Sequence, residues 1–524
     1  MPVLHWTGKD KVVRHHLDVP YRILEEKYRF GDPKSARDNK IIHGDNLEAL
    51  KSLLPEYEGR IKCIFIDPPY NTGNESWVYN DNVNHPKIRR WLGEVVGKEG
   101  EDLSRHDKWL CMMYPRLKLL HRLLSRDGVI FVSIDDIEVG NLRLLLDEIF
   151  GTSTFVTNAI WEKADSPRNS ARQFSSDHDH ILIYSRSPDW KPNRLPRSAE
   201  SDSIYKNPDN DPRGPWLPGD PYANKPYSRG TYSIEGPTGR IFQPPPGRFW
   251  RISEEKLRLL NSQGRIWWGP KGDARPSIKR YLSEVADLVP RTLWKKSEVG
   301  SNRTSKNEMR ALFPNESSFQ TPKPYQLLER VFRHSIKDGD IVLDSFAGSG
   351  TTAHAVLNLN KEDGGNRKFI LIELEDYADS ITAERVKRVI DGYGEGKSAI
   401  EGTGGGFTFY ELGDRFFLDN GMVNDALDTN HLRNYIWFTE TGQNIQEDIS
   451  RSKNSNYLGS SNGTSYYVLH NVEGTGTLDF RFLGTIDVRD ELYVIYADRC
   501  LIDDEVLRKY SIVFKKIPRD IVRF

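Results

Sequence analysis

Two stretches of this 524-residue sequence place residues that can do chemistry at short spacing. The first is Asp67-Pro68-Pro69-Tyr70. Two prolines after an acid can neither extend a strand ladder nor open a helix there, so the loop is stiff. It offers a carboxylate, a backbone carbonyl and an aromatic ring. That set suits a planar heterocycle with an exocyclic amine: two acceptors for two N–H groups and a ring to stack on. The plain alternative is a surface proline turn, and four residues alone do not decide. The second stretch is Phe346-Ala347-Gly348-Ser349-Gly350-Thr351, preceded by Asp344 and followed by Glu373, 29 residues after that acid. A glycine turn lets backbone approach a ligand at a helix N-terminus. No Lys follows the last glycine, which excludes a Walker phosphate loop, and the spacing falls short of the dinucleotide GxGxxG. An acid ending the neighbouring strand is placed to accept from ribose hydroxyls. Together with Asp67–Tyr70, this describes a nucleoside-cofactor pocket beside an amine-binding pocket on one sheet.

The elements around these stretches must hold them there. Lys62-Cys63-Ile64-Phe65-Ile66 reads as a strand buried on both faces, which sets Asp67 at the carboxyl edge of a parallel sheet. Open α/β sheets bind ligands at that edge. Upstream, Lys40 to Leu50 gives a strand, a Gly44-Asp45-Asn46 turn and a helix start, with Asp45 or Asn46 placed to cap the helix. Strand, helix and strand form a tight βαβ unit. Downstream, a helix is expected from Trp109 to Leu124, closed by Arg126-Asp127-Gly128, then a buried strand at Val129–Ile134 and a helix over Leu142–Phe150. Ile160-Trp161 and His180–Tyr184 read as edge strands. Later, Thr321-Pro322-Lys323-Pro324 opens an amphipathic helix, strands follow at 340–344 and 368–373, and a helix runs from Tyr377 to Ile390. The excursion Asn71–Asn82 is turn-rich yet carries Trp77 and Tyr79, and long polar excursions beside a site are more often functional than filler.

Hydrophobic residues at 37% and aromatics at 11% are enough for true cores, which excludes wholesale disorder. A net charge of -1 means that any polyanion footprint is a local face. Cys63, Cys111 and Cys500 are scattered without a CxxC pair, so neither a zinc site nor a disulfide framework is indicated, and no metal is expected. No signal peptide opens the chain and no 18-residue apolar stretch occurs, so the expectation is a cytosolic protein without a membrane partner.

The chain divides into an arm at 1–40, a catalytic half at 41–185, a Pro/Gly/Asn-rich segment at 186–320, a cofactor half at 321–400, a glycine linker, and a C-terminal α+β module at 407–524. In 186–320, Arg and Lys alternate with Trp and Tyr, as in Arg248, Arg265, Trp267, Trp268, Lys271, Lys279 and Arg280. Basic groups for phosphates mixed with rings for bases are what a nucleic-acid reader needs. The alternative is a loop-rich inserted domain whose aromatics form its own small core.

Asp67–Tyr70, Phe346–Gly350 and Glu373 together resemble the amino-methyltransferases that modify DNA bases with S-adenosyl-L-methionine. The target-site motif precedes the cofactor motif with the basic segment between them, which resembles the β-class order. Gly44–Leu47, Asp127–Asp136, Thr321–Pro324 and Asn71–Asn74 also match, the last being similar to the modification (Mod) subunits of type III restriction-modification systems. The resemblance implies a Rossmann-like methyltransferase sheet with an inserted target-recognition domain. It implies methyl transfer to the N6 amine of a flipped adenine in double-stranded DNA. Cytosine N4 and an inactive DNA-binding subunit are the alternatives. Asp67, Pro68, Pro69 and Tyr70 would serve the target base. Asp45 would serve the cofactor's adenine, Glu373 its ribose, Phe346, Gly348 and Gly350 its methionine end, and Lys323 its carboxylate, with Asp344, Ala347 and Thr351 completing the cofactor site. The implied setting is a bacterial or archaeal cytosol, with a restriction (Res) subunit or other defence-system protein and a homodimer as partners.

Overall fold

The computed structural model describes residues 4–71, 90, 93, 105–167, 171–197, 199–226, 228–314, 321–396, 399–418, 420–424, 426–443, 452–470 and 476–521. Trp77, Tyr79 and the rest of 72–82 lie outside these residues.

The main unit, residues 1–193 and 291–524, is built on one ten-stranded sheet. Its strands in chain order are β1 (Arg22–Gly31), β2 (Lys40–His43), β3 (Ile61–Ile66), β4 (Leu124–Ile134), β5 (Phe155–Glu162), β6 (His178–Ser185), β7 (Leu293–Trp294), β8 (Ile341–Asp344), β9 (Lys368–Glu373) and β10 (Gly406–Arg415). Their order across the sheet is β1-β10-β2-β9-β8-β3-β4-β6-β5-β7. From β10 to β4 every pairing is parallel. Strand β3 is central and buried on both faces, as its unbroken apolar run requires. Burying Ile64, Phe65 and Ile66 contributes about 2 kcal/mol each before chain entropy is set against it. Helices α1 (Asn46–Tyr57), α2 (Arg105–Leu123) and α3 (Val139–Phe150) pack on one face of the sheet. On the other face lie α4 (Tyr325–Ser335), α5 (Thr351–Asp363) and α6 (Glu384–Asp391).

Strands β8 and β3 are neighbours although nearly 280 residues separate them. From β3 the chain moves to β4 on one side, and from β8 it moves to β9 on the other. The loops that leave these two strands therefore diverge and open a crevice at the carboxyl edge.

Several boundaries differ from the sequence expectation. Within the arm at 1–40, residues 22–31 form an antiparallel edge strand on β10, so 406–415 completes the main sheet instead of opening the C-terminal module. Strand β6 lies inside the sheet between β4 and β5, and the edge is β7. Arg126-Asp127-Gly128 belongs to β4, which starts directly after α2. The C-terminal module has its own four-stranded sheet (Tyr457–Ser461, Thr464–Leu469, Leu492–Ala497, Ile512–Lys516).

The second unit, Arg194–Pro290, is shorter than the expected 186–320, because Leu293–Trp294 joins the main sheet and Asn302–Leu312 is a helix of the main unit. It has its own core, in which Trp250 is stacked between Tyr222 (4.8 Å) and Tyr232 (5.4 Å). It holds sixteen Arg and Lys against eleven Asp and Glu, in a chain whose net charge is -1. The fold thus concentrates positive charge there.

Candidate active site

Asp67 follows β3 directly and is buried at 7% exposure. Its Oδ2 accepts from the Lys323 ammonium at 2.5 Å, and that ammonium lies 5.0 Å from the Tyr70 ring centroid and 5.8 Å from that of Trp161. The prolines on both sides of Lys323 restrict the backbone that carries it.

The loop after Asp67 is fixed at three points. The Trp109 indole donates to the Pro69 carbonyl at 2.6 Å, while among the described residues none donates to the carbonyl of Pro68. The Tyr70 hydroxyl is 2.7 Å from Ser133 Oγ and 3.4 Å from Asp179, whose other oxygen accepts from Lys163 at 2.6 Å. Burial pushes the Tyr70 phenol well above its ordinary pKa, so it stays neutral and its ring keeps its face. Asn71 is held at φ 60°, a conformation Asn tolerates better than most residues. Its amide donates to the fully buried Glu138 at 2.5 Å and to the Arg105 carbonyl at 3.2 Å. Glu138 is also bonded by His106 (2.6 Å) and Asn141 (2.8 Å). Sequence reasoning missed Trp109, Ser133, Glu138 and Asp179 as supports. Ser133 lies inside the matched run 127–136, the one signal that could have drawn attention to it.

The glycine turn leaves β8 beside this loop. Asp344 accepts from the Phe346 N–H at 3.0 Å and the Thr352 hydroxyl at 2.6 Å, which ties the turn to α5. Burial, with a smaller contribution from the charge of Asp67, raises the Asp344 carboxyl to about 7. Glu373, at the end of β9, accepts from the Gly348 N–H at 2.7 Å and the Glu375 N–H at 3.0 Å. Burial raises it to about 7 as well. Gly348 and Gly350 have φ of 52° and 83°, and a Cβ on Gly350 would stand 2.9 Å from the Thr382 carbonyl oxygen. Beneath the turn, the buried Arg385 guanidinium donates to Ser349 and Thr351 at 2.8 Å each and pairs with Glu308.

At the end of β2, Asp45 caps α1 by accepting from Leu47 N–H (2.9 Å) and Glu48 N–H (3.2 Å). The cap expected of it is thus formed, and its side chain remains 28% exposed at the sheet edge. Buried Arg116 links Asn46 (2.5 Å) with Asp45 (3.5 Å), and Asn46 donates to the Ser345 carbonyl (3.2 Å). Asp67, Lys323, Asp344, Phe346 and the turn residues Ala347, Gly348, Ser349 and Thr351 line one cavity.

The residues singled out in the basic segment divide. Lys279 is buried between Asp209 and Asp211, 2.7 Å from the latter, and Trp268 is a core residue; neither is available to a phosphate or a base. Composition gave no warning, because these partners come from other parts of the unit. Trp294 is buried in the main unit. Arg248 pairs with Asp220 at 2.5 Å, Arg265 pairs with Glu284, and Trp267 lies half-buried at 5.4 Å from Trp216. Lys271 and Arg280 are exposed, with no ion pair to either among the described residues.

A run of parallel strands with diverging loops at its switch point, a glycine turn, a strand-end acid and a rigid Asp-Pro-Pro-Tyr loop define the class: an α/β Rossmann-like fold with its candidate site at the carboxyl edge of the sheet. Residues 61–384 match the family described as DNA methylase, and the chain belongs to that family. Its relatives include the type III restriction-modification enzyme StyLTI Mod subunit of Salmonella typhimurium, 35% identical over 67% of this chain and 57% of that protein. The EcoPI Mod subunit of Escherichia phage P1 is 30% identical over 71% of this chain and 63% of its own length. The type II methyltransferase M.KpnI of Klebsiella pneumoniae is 30% identical over 65% of this chain and 82% of that protein. The chain thus spans less than two thirds of the length of the two Mod subunits.

Proposed function

We propose that this chain is a site-specific DNA methyltransferase acting on the N6 amine of an adenine flipped out of double-stranded DNA. The observation that carries the reading is that Asp67, which opens the Asp-Pro-Pro-Tyr loop, lines one cavity with the glycine turn and with Lys323, whose ammonium lies over the Tyr70 ring. The adenine N6 lone pair is delocalised into the ring, so the amine is a poor nucleophile. Asp67 and the Pro68 carbonyl would accept its two protons in hydrogen bonds and favour a tetrahedral nitrogen. Tyr70, fixed by Ser133 and Asp179, would stack on a base taken out of the duplex. These groups act by positioning and electrostatics.

The residues present fit S-adenosyl-L-methionine, which when bound supplies an activated methyl on a sulfonium. Glu373 keeps lone pairs beyond its two backbone bonds for ribose hydroxyls. The Phe346–Gly350 turn and the Lys323 ammonium would receive the amino-acid end, and Asp45 the adenine.

We further propose that residues 194–290 set the target sequence, supported by their excess of basic residues and their place between the two catalytic halves. A restriction subunit as partner is supported by relatives named as Mod subunits. A homodimer would let one copy read DNA while the other does chemistry. The cytosol is the expected compartment, and among the described residues no helix is long and apolar enough to cross a membrane. The test is expression in a host lacking adenine methylation, followed by sequencing with modified-base detection. N6-methyladenine at one short sequence is expected; unmodified DNA, or methyl on cytosine N4, overturns the reading.

A further inference from the structure

The Lys323 ammonium occupies the place that the proposed mechanism reserves for the target amine. It is a nitrogen donor 2.5 Å from Asp67 Oδ2, and it stands 5.0 Å from the centroid of the ring on which the base would stack. A target amine needs the same acceptor and the same ring. Asp67 Oδ1 is buried, so Oδ2 is the oxygen a base could approach, and an ammonium seated on it over the ring face stands in the way of that approach; Lys323 has to leave before the base is seated. It cannot leave without a destination, because its side chain is only 10% exposed and an unpaired ammonium in such a place is strongly disfavoured.

The cavity it lines supplies one. Lys323 faces the same space as Phe346 and the glycine turn, where the amino-acid end of the cofactor is expected. The carboxylate is that cofactor's one acid group. The backbone at Lys323 is meanwhile held by the two prolines and by the Thr351 hydroxyl, which donates to its carbonyl at 3.3 Å. The head group can therefore swing while its base stays fixed to the turn.

Resting on the methyltransferase reading, we propose that Lys323 is a positioning residue that makes base entry depend on the cofactor. It is paired with Asp67 until the cofactor's carboxylate draws it away, and only then is Asp67 open to the target amine. The coupling orders the two ligands, cofactor before base.

The test uses the full chain and duplex DNA carrying its own recognition sequence, with 2-aminopurine beside the target adenine so that loss of stacking is read as fluorescence. S-adenosylhomocysteine should produce a fluorescence rise. Its decarboxylated analogue, at concentrations where calorimetry shows it bound, should not, and neither should DNA with the protein alone. Lys323→Met should give the rise without any cofactor. An equal rise in the wild-type protein with the analogue, or with no cofactor, overturns the proposal even if the variant fails to fold. A wild-type protein that transfers methyl groups yet shows that equal rise loses only the gate. One that transfers none to any DNA loses the methyltransferase reading itself.

Discussion

The Lys323 ammonium and the Asp67 carboxylate meet at 2.5 Å across 256 residues of sequence. This pair joins the two halves of the site: Asp67 ends the strand that carries the target loop, and Lys323 stands in the segment that leads to the glycine turn. Either half alone would be a stiff loop or a structural turn. Their contact, beside the carboxyl ends of the adjacent parallel strands β3 and β8, makes them one cavity.

The Asp-Pro-Pro-Tyr loop should depend on Trp109 for its rigidity. Trp109→Phe removes the indole donor to the Pro69 carbonyl and keeps most of the buried volume. Loss of one such bond costs about 1–3 kcal/mol when the acceptor is left without a partner. The variant should show reduced kcat with cofactor affinity unchanged by calorimetry, since no contact of the glycine turn is touched. An unaltered kcat would mean the prolines alone hold the loop.

Gly350 should resist substitution for two separate reasons. Its φ of 83° is unfavourable for any residue with a Cβ, by about 1–2 kcal/mol, and that Cβ would meet the Thr382 carbonyl at 2.9 Å. Gly350→Ala should therefore lower both the melting temperature and the affinity for S-adenosyl-L-methionine. Wild-type values in both measurements would refute the strain argument.

The two raised carboxyls give pH dependences with fixed signs. Glu373 has a pKa of about 7, raised by burial, and ribose hydroxyls donating to it would favour the carboxylate and lower that value. Cofactor binding should release protons, with affinity climbing from about pH 6 to 8 and levelling above. Calorimetry in two buffers of different ionisation enthalpy reads the proton count; uptake, or a flat profile, would contradict the role. For Asp344, the folded chain holds a proton that the unfolded chain gives up near 3.8. Folding therefore binds more protons between 3.8 and about 7, so this group's contribution to stability falls as the pH rises through that window.

In the basic unit, two kinds of basic residue should behave differently. Lys271→Ala and Arg280→Ala should weaken DNA binding across all sequences and each reduce the salt slope by about 1. Lys279→Ala should instead destabilise the unit by about 1–3 kcal/mol, because it removes the cation of Asp209 and leaves Asp211 with Arg213 alone. Thermal unfolding beside DNA titration separates the two. A Lys279→Ala protein of wild-type stability would return that residue to the list of phosphate contacts.

What the sequence disclosed follows physical range. The strand before Asp67 and the turn after Asp344 were legible because local signals make them: an apolar run, two prolines, paired glycines. The ion pair of Lys323, the Trp109 anchor and the Glu138 hub were not, since each joins elements whose adjacency only the sheet order decides. The same gap explains Lys279 and Trp268. An interleaved basic and aromatic pattern is identical whether the side chains face solvent or each other, and buried partners at 209 and 211 were what decided it. Strand β1 reads only as part of an arm in the sequence, because its pairing partner, β10, lies almost 400 residues away.

The central claim is that Asp67 accepts the target amine during methyl transfer to adenine. Its most direct test is transfer of a radiolabelled methyl group from S-adenosyl-L-methionine to unmethylated DNA, with the labelled nucleoside identified after digestion and the wild-type rate compared with that of Asp67→Ala. The account predicts label in N6-methyladenine and a rate at least roughly a hundredfold lower for the variant, as expected when a hydrogen bond at the reaction centre is lost. Label in another base, or near-wild-type transfer by Asp67→Ala, would contradict it.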